Sequence, residues 1–85
     1  MKVKILYLAS LREQLGKPGE DLEISSAMST VAGLRTLLMA RGGPWQTALA
    51  QSKALRVAVN QEMALPTTPV KAGDEIAFFP PVTGG

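Results

Sequence analysis

The fold of this chain is set by residues 29–44, STVAGLRTLLMARGGP, which carry its strongest helical pattern. From Val31 to Leu38 the aliphatic residues recur at i, i+3, i+6 and i+7, a spacing typical of one helix face. The Ser-Thr pair at the start can cap the first turn with a side-chain oxygen, and the Gly-Gly-Pro at the end stops the helix. The stretch therefore predicts one main helix with an apolar face.

Alternating apolar and polar residues flank this helix on both sides, as expected for β-strands. We predict strands over residues 2–9 and 20–25 before the helix, and over 54–60, 63–65 and 75–79 after it. A short helical turn is expected over 10–15, a second short helix over 45–51, and turns at 17–19, 60–61 and 71–74. In the last strand, Ile76 and Phe78 should face the core, and Ala77 and Phe79 the solvent. Two strands, a crossover helix and three further strands describe a ubiquitin-like roll, so the predicted fold class is α+β.

The composition limits the chemistry of the chain. Its 85 residues suffice for one domain, and 46% of them are hydrophobic, so a packed core is expected. Cys and His are absent, which excludes thiol nucleophiles, imidazole bases and the usual zinc sites from the chain's own residues. The spacing of Glu13, Glu20, Asp21 and Glu23 does not form a metal cage, and we interpret them as a solvated acidic face. Trp45 is interpreted as a cover for the core, and no metal site is predicted.

Charge and hydropathy exclude two classes of partner. The nine Lys and Arg residues are scattered and the net charge is only +2, so no nucleic-acid surface is predicted. No apolar run approaches the roughly 18–20 residues needed to cross a bilayer, and the run after Met1 is too short for a signal peptide. We therefore expect a soluble, cytoplasmic protein with no nucleic-acid and no membrane partner.

The final residues, Pro80-Pro81-Val82-Thr83-Gly84-Gly85, differ in character from the rest. The two prolines cannot donate to a sheet and favour an extended chain, so they should end the sheet and direct the following residues outward. The glycines lack a Cβ, which lets a backbone enter a narrow channel. A frayed end is the ordinary fate of terminal residues, but a stiff Pro-Pro segment leading to Gly-Gly is more specific than either part.

Residues 73–85, GDEIAFFPPVTGG, closely resemble the C-terminus of the small subunit of molybdopterin synthase (MoaD), one of the ubiquitin-like sulfur carriers. Val59-Asn60-Gln61 and the opening strand with Leu11-Arg12-Glu13 also resemble this family, and the resemblance covers essentially the whole chain. It implies a β-grasp domain over residues 1–79 and an extended, flexible tail over 80–85.

The resemblance also implies a chemistry for the tail. In that family an activating enzyme uses ATP to adenylate the terminal Gly carboxylate, here that of Gly85, and a sulfur donor converts the acyl-adenylate to a thiocarboxylate. The tail, which here comprises Pro80, Pro81, Val82, Thr83 and Gly84 before Gly85, inserts into the large synthase subunit. The sulfur atoms of two carriers then form the dithiolene of molybdopterin from cyclic pyranopterin monophosphate.

By this resemblance the chain is not an enzyme on its own and binds no cofactor itself. Its expected partners are the large subunit of molybdopterin synthase, a ubiquitin-activating-like adenylyltransferase and a sulfurtransferase that donates sulfur. These partners would supply the catalysis, and the synthase would be a heterotetramer with two large subunits.

An apolar patch is expected at the root of the tail. Strand parity places Leu6, Leu8 and Phe79 on the same face as the lysines of the first strand, although single exposed apolar residues are ordinary. In a β-grasp sheet the first and last strands are neighbours, so Leu8 and Phe79 can form one patch that Met63 joins. We hypothesise that Leu8, Met63 and Phe79 anchor the large subunit, with Arg12 as a polar contact.

Three other functions stay open on the sequence. Sulfur carriers for thiamine, cysteine or tRNA thiolation also end in Gly-Gly, although the Phe-Phe-Pro-Pro-Val-Thr segment argues against them. A ubiquitin-like tag would be joined through Gly85 to lysines of other proteins. A plain interaction domain would have an inert tail.

Overall fold

The computed structural model of the chain describes residues 1–50 and 54–81. Its strands are β1 (Lys2–Tyr7), β2 (Gly19–Glu23), β3 (Arg56–Val59), β4 (Glu62–Met63) and β5 (Glu75–Phe79). Its helices are α1 (Ser10–Leu15), α2 (Val31–Met39) and α3 (Pro44–Ala48), with a 3-10 turn at Ser26–Met28. Each predicted element is present, β5 has the predicted ends, and no end of the other strands differs from the prediction by more than two residues.

The strands form one mixed five-stranded sheet in the order β2-β1-β5-β3-β4. β1 pairs with β5 in parallel and with β2 antiparallel, while β3 is antiparallel to both β5 and β4. Parallel neighbours cannot be joined by a hairpin, so the chain between β1 and β5 has to cross the sheet, and α2 packs on one face. The predicted mixed sheet with one main helix is confirmed, and its first and last strands are central neighbours.

The main helix α2 begins where the sequence predicts. Thr30 Oγ1 accepts a 3.1 Å hydrogen bond from the amide of Gly33, which is the expected N-cap. Val31, Leu34 and Leu38 are buried and belong to one core cluster with the inward-facing residues of β1 and β5. Burial of each such side chain contributes roughly 1.5–3 kcal/mol, so this apolar face is what holds the helix on the sheet.

The β3–β4 turn is tied to the turn before β5. Asn60 and Gln61 have φ of 51° and 70°, which fits the tight hairpin turn predicted here. Asn60 Nδ2 donates to Asp74 Oδ1 at 2.9 Å, and Asn60 Oδ1 accepts from the Glu75 amide at 3.0 Å. Asp74 also accepts a bond from the amide of Lys71, and these bonds lower the pKa of its carboxyl. The predicted turn role of Asp74 is confirmed.

The second short helix and the return strand are among the elements that are shorter than predicted. The second helix is Pro44–Ala48, and Gln51 of its predicted span lies outside the described residues. The return strand is Glu62–Met63 instead of 63–65. Pro66 follows closely and cannot donate to a ladder, which limits the length of this strand.

Ala77 is buried, although its parity in β5 is outward. Its exposed fraction is 9%. It pairs with Leu6 of β1 on one side and with Ala58 of β3 on the other. A methyl group in the middle of a sheet is covered by such neighbours, so the predicted solvent exposure is wrong at this residue.

Glu20 is not part of a solvated acidic face, contrary to the prediction. Its side chain is 15% exposed and accepts two 2.8 Å hydrogen bonds from the Arg41 guanidinium and one of 2.8 Å from the Tyr7 hydroxyl. The Arg41 bonds lower the pKa of Glu20, while burial raises the pKa of Tyr7. The Arg41 guanidinium lies 4.4 Å from the ring centroid of Trp45. Trp45 packs against the core and meets the Tyr7 ring edge-on, which confirms its predicted role as a cover.

Candidate functional site

The candidate site is the point at which the chain leaves the sheet after β5. Phe79 is the last residue of β5 and pairs with Arg56 of β3. On the other side, the amide of Leu8 donates a 3.0 Å hydrogen bond to the carbonyl of Phe78. The tail therefore begins from the middle of the sheet, at a strand that is fixed on both sides.

Pro80 and Pro81 follow directly and are half-buried. Neither carries an N–H, so neither can continue the ladder as a donor, and the predicted end of the sheet before them is confirmed. The two rings line a pocket of about 240 Å³ together with residues of α1, α3 and the approach to β3, namely Ser10, Leu11, Gln14, Ala48, Ala54 and Leu55. Val82, Thr83, Gly84 and Gly85, which carry the predicted insertion and sulfur chemistry, lie outside the described residues.

The outer face of the sheet is apolar beside the root of the tail. Ladder partners across four strands place Leu6, Ala77, Ala58 and Met63 in one row. Leu8 is 39% exposed and Met63 60%, and Phe79 is half-buried. We call Leu6, Leu8, Ala58, Met63, Ala77 and Phe79 the tail-side patch. Leu8 and Met63 are its exposed members, Leu6, Ala58 and Phe79 are half-buried, and Ala77 is covered. Exposed apolar side chains that lie together mark interaction surfaces.

The same face is charged at the end of the sheet away from the tail. Lys2 lies opposite Glu23 in the β1–β2 ladder, and Lys4 lies between Asp21 and Glu75. Opposite charges on neighbouring strands attract each other, and their electric fields largely cancel at this end of the sheet. The outer face thus divides into an apolar half at the tail and a charge-balanced half away from it.

One arginine lies at the edge of the apolar half, and a second, the predicted polar contact, lies on α1. Arg12 is exposed on α1, and within the described residues its side chain makes no hydrogen bond or ion pair. Arg56 pairs with Phe79 at the edge of the tail-side patch. The sequence alone gives Arg56 no role, because strand alternation does not tell which residue of the next strand lies beside it.

The described residues carry little else that points to chemistry. Among them, no group of three or more acidic, Cys or His side chains is arranged to hold a metal ion. No helix in the part of the chain that the structure describes is long and apolar enough to cross a membrane. The features that need a functional explanation are therefore the tail root and the tail-side patch.

Comparison with known proteins shows which family the chain belongs to. A family model described as the ThiS family matches residues 5–85. The chain belongs to the ThiS family. This ThiS-family chain is 41% identical over 83 residues to the molybdopterin synthase sulfur carrier subunit of Escherichia coli strain K12, covering 98% of the chain and 99% of that subunit. It is 40% identical to the subunit of the same name from Haemophilus influenzae, with the same coverage.

Solved structures of similar shape support the fold. SAMP1 from Haloferax volcanii superposes with a TM-score of 0.83 at 24% identity, and the match covers all of both chains. A chain from the complex of subunits 1 and 2 of the molybdopterin-converting factor of Helicobacter pylori 26695 gives a TM-score of 0.68 at 21% identity, again over both full lengths. At these identities the similarity establishes the fold, and it confirms the predicted ubiquitin-like β-grasp.

Proposed function

We propose that this chain is the sulfur carrier subunit of a molybdopterin synthase. The observation that carries the proposal is the 41% identity to the Escherichia coli subunit of that name over 98% of this chain and 99% of that one. Family membership over residues 5–85 supports it. The chain with no Cys and no His then acts as a cosubstrate, and its partners supply the catalytic groups.

The proposed chemistry takes place at the carboxylate of Gly85. In a ubiquitin-activating-like adenylyltransferase, a carboxylate oxygen attacks the α-phosphate of ATP, and pyrophosphate leaves. The product is a mixed anhydride, which is a far better electrophile than a carboxylate because AMP is a good leaving group. Sulfide delivered by the sulfur donor attacks the acyl carbon, AMP departs with the bridging oxygen, and a thiocarboxylate remains. This thiocarboxylate is ionised at neutral pH and is a soft nucleophile.

The proposed acceptor complex uses the tail and the tail-side patch together. Leu8, Met63 and Phe79 contact the large subunit, Arg12 adds a polar contact, and residues 80–84 carry Gly85 into the large-subunit active site. The exit of the tail beside the apolar half of the sheet supports this arrangement, because one partner can cover the patch and receive the tail. Two carriers in turn deliver the two sulfur atoms of the molybdopterin dithiolene to cyclic pyranopterin monophosphate.

Intact mass measurement tests the proposal. The chain is incubated with the adenylyltransferase of its host, ATP and a sulfur source, beside a version that lacks Gly84-Gly85. A mass gain equal to the exchange of one oxygen for sulfur, localised to Gly85 and absent from the shortened version, is expected. No gain, with an adenylyltransferase that is active on another carrier, would overturn the proposal.

Two further additions separate the alternatives. Adding the large synthase subunit and cyclic pyranopterin monophosphate should consume the thiocarboxylate and yield molybdopterin. Consumption only by another sulfur-accepting enzyme would indicate a carrier for a different pathway. Isopeptide-linked products in place of sulfur transfer would indicate a protein tag.

A further inference from the structure

Arg35 joins the main helix to the end of the third helix. Its Nε and Nη2 donate hydrogen bonds of 2.7 and 2.6 Å to the carbonyl oxygens of Leu49 and Ala50, which follow directly after α3. Carbonyls at the end of a helix lack partners within the helix. A guanidinium binds two of them at once with its planar fork. Arg35 therefore fixes the end of α3 relative to α2.

The end of α3 is one wall of the pocket beside the tail root. Ala48, the last residue of α3, is 4% exposed and lines this pocket together with Pro80 and Pro81. Leu11 and Gln14 of α1 supply another wall. The pocket thus places the two proline rings beside two helices, one of which Arg35 holds in place.

These walls bound the space that is open to the two proline rings. Phe79 is the last residue of β5 and pairs with Arg56 of β3. The two prolines that follow have no N–H with which to make a backbone hydrogen bond. Their orientation is therefore restrained by the fixed φ of each ring and by the pocket walls, which limit how far the rings can move. A shift of the α3 wall would change the width of the pocket and leave the rings less restrained.

We propose that Arg35 is a positioning residue for the tail. Through its two carbonyl hydrogen bonds it holds the α3 wall of the pocket in place and so narrows the range of directions in which the chain leaves the domain after the prolines. The consequence for sulfur transfer rests on the proposed function: a tail already directed outward loses less conformational freedom on insertion. If the tail samples a wider range of directions, a smaller fraction of the molecules has the tail in a direction that can enter the partner. The apparent affinity for the partner falls in proportion to that fraction.

A measurement without partners tests the positioning itself. The chain contains no Cys, so spin labels at Thr36→Cys on the exposed side of α2 and at Thr83→Cys report the distance between the domain and the tail. Arg35→Lys keeps the charge but cannot make the fork, and we expect it to broaden the distance distribution. Asn60→Gly is the matched control, because it also removes two side-chain hydrogen bonds, in a turn that does not line the pocket, and Gly tolerates the positive φ there. It should leave the distribution unchanged.

Ala48→Gly is a second variant that changes the wall and leaves Arg35 intact. It should broaden the same distribution, and it keeps the test valid if Arg35→Lys does not fold, which Trp45 fluorescence checks. An Arg35→Lys distribution as narrow as that of the parent would overturn the proposal. If that variant is unfolded, an unchanged width in Ala48→Gly would do so.

A double-mutant cycle tests the consequence for function. The affinity for the large synthase subunit is measured for the full chain and for a chain ending at Pro81, each with and without Arg35→Lys. We expect the substitution to weaken binding of the full chain about fivefold and to leave binding of the shortened chain unchanged. An equal loss in both backgrounds would make Arg35 merely structural and would contradict the inference. A broadened distance distribution in a chain that never accepts sulfur would leave the positioning role intact and reject the proposed function.

Discussion

The hydroxyl of Tyr7 donates a 2.8 Å hydrogen bond to Glu20, 13 residues away in the sequence. Tyr7 is on β1 and Glu20 on β2, and Arg41 adds two further bonds to the same carboxylate from beyond the end of α2. Because the Tyr7 side chain is buried, its hydroxyl would carry a desolvation cost without this partner. The carboxylate thus connects the first hairpin to the main helix.

We expect Glu20 to contribute to the acid sensitivity of the fold. Hydrogen bonds from Arg41 hold the pKa of Glu20 below its ordinary value of 4.5 in the folded chain. The unfolded chain therefore binds the proton first, so the stabilisation from Glu20 is present above pH 4.5 and is lost as the pH falls through the folded-state pKa. Glu20→Gln should remove this part of the pH dependence, as measured by urea unfolding followed through Trp45 fluorescence at neutral pH and at about pH 3.

Thr36, which is exposed on α2 and carries no titratable group, provides the control for that experiment. Thr36→Val should leave the pH dependence of the free energy of unfolding as it is in the parent. Identical pH dependence in Glu20→Gln and the parent would contradict the role assigned to the Arg41 contact.

Gly19→Ala should destabilise the domain through a backbone clash. A Cβ at Gly19 would lie 2.5 Å from the carbonyl oxygen of Ile5 and 3.2 Å from Leu6 Cδ2. Because backbone on the paired strand cannot move aside without breaking the β1–β2 ladder, we expect a loss of about 2 kcal/mol or more in the free energy of unfolding. Asp21→Ala on the same strand is the control and should cost less than about 0.5 kcal/mol. Equal stabilities of the two variants would contradict the prediction, because they would show that β2, an edge strand, shifts enough to accommodate the added Cβ.

Met63→Asp and Phe79→Asp should weaken binding of the large subunit. Each places a charge in the tail-side patch, and we expect a loss of about 1–3 kcal/mol in binding free energy, measured by calorimetry. Glu62→Gln is the matched control, since Glu62 neighbours Met63 on β4 but pairs with Val59 instead of Ala58. Affinities that match the parent for both Asp variants would remove the patch from the proposed interface.

Gly85→Val should block sulfur loading. A branched side chain beside the reacting carboxylate would clash in the narrow channel that a Gly-Gly end is suited to enter. We expect the rate of thiocarboxylate formation to fall by about a hundredfold or more, or about 2.7 kcal/mol. The measurement is the time course of intact mass with the adenylyltransferase, and Thr67→Val, in the exposed turn after β4, should load at the parent rate. Normal loading of Gly85→Val would reject a narrow channel.

Much of the fold follows from local sequence, and particular residues show why. The apolar spacing from Val31 to Leu38, the Thr30 cap and the Asn60-Gln61 turn depend on residues within one or two turns of each other. Such features form wherever the segment lies, because backbone geometry and nearby side chains govern them. The sulfur chemistry of Gly85 likewise came from a sequence resemblance, and it stays a prediction.

The neighbours of each side chain were decided only by the tertiary structure. Glu20 was assigned to the solvent as one of four acidic residues, and Ala77 by strand alternation. Arg41 lies 21 residues from Glu20, however, and Ala77 is covered by two strands distant in sequence. The Arg35 bonds to carbonyls 14 and 15 residues ahead left no local signal. Alternation along one strand tells only which face of the sheet a side chain is on. The strand order β2-β1-β5-β3-β4 decides which side chains are neighbours, and it arises because the whole apolar face of the sheet is buried against α2. That order alone brings Leu8, Phe79 and Met63 to the same end of the sheet as the tail.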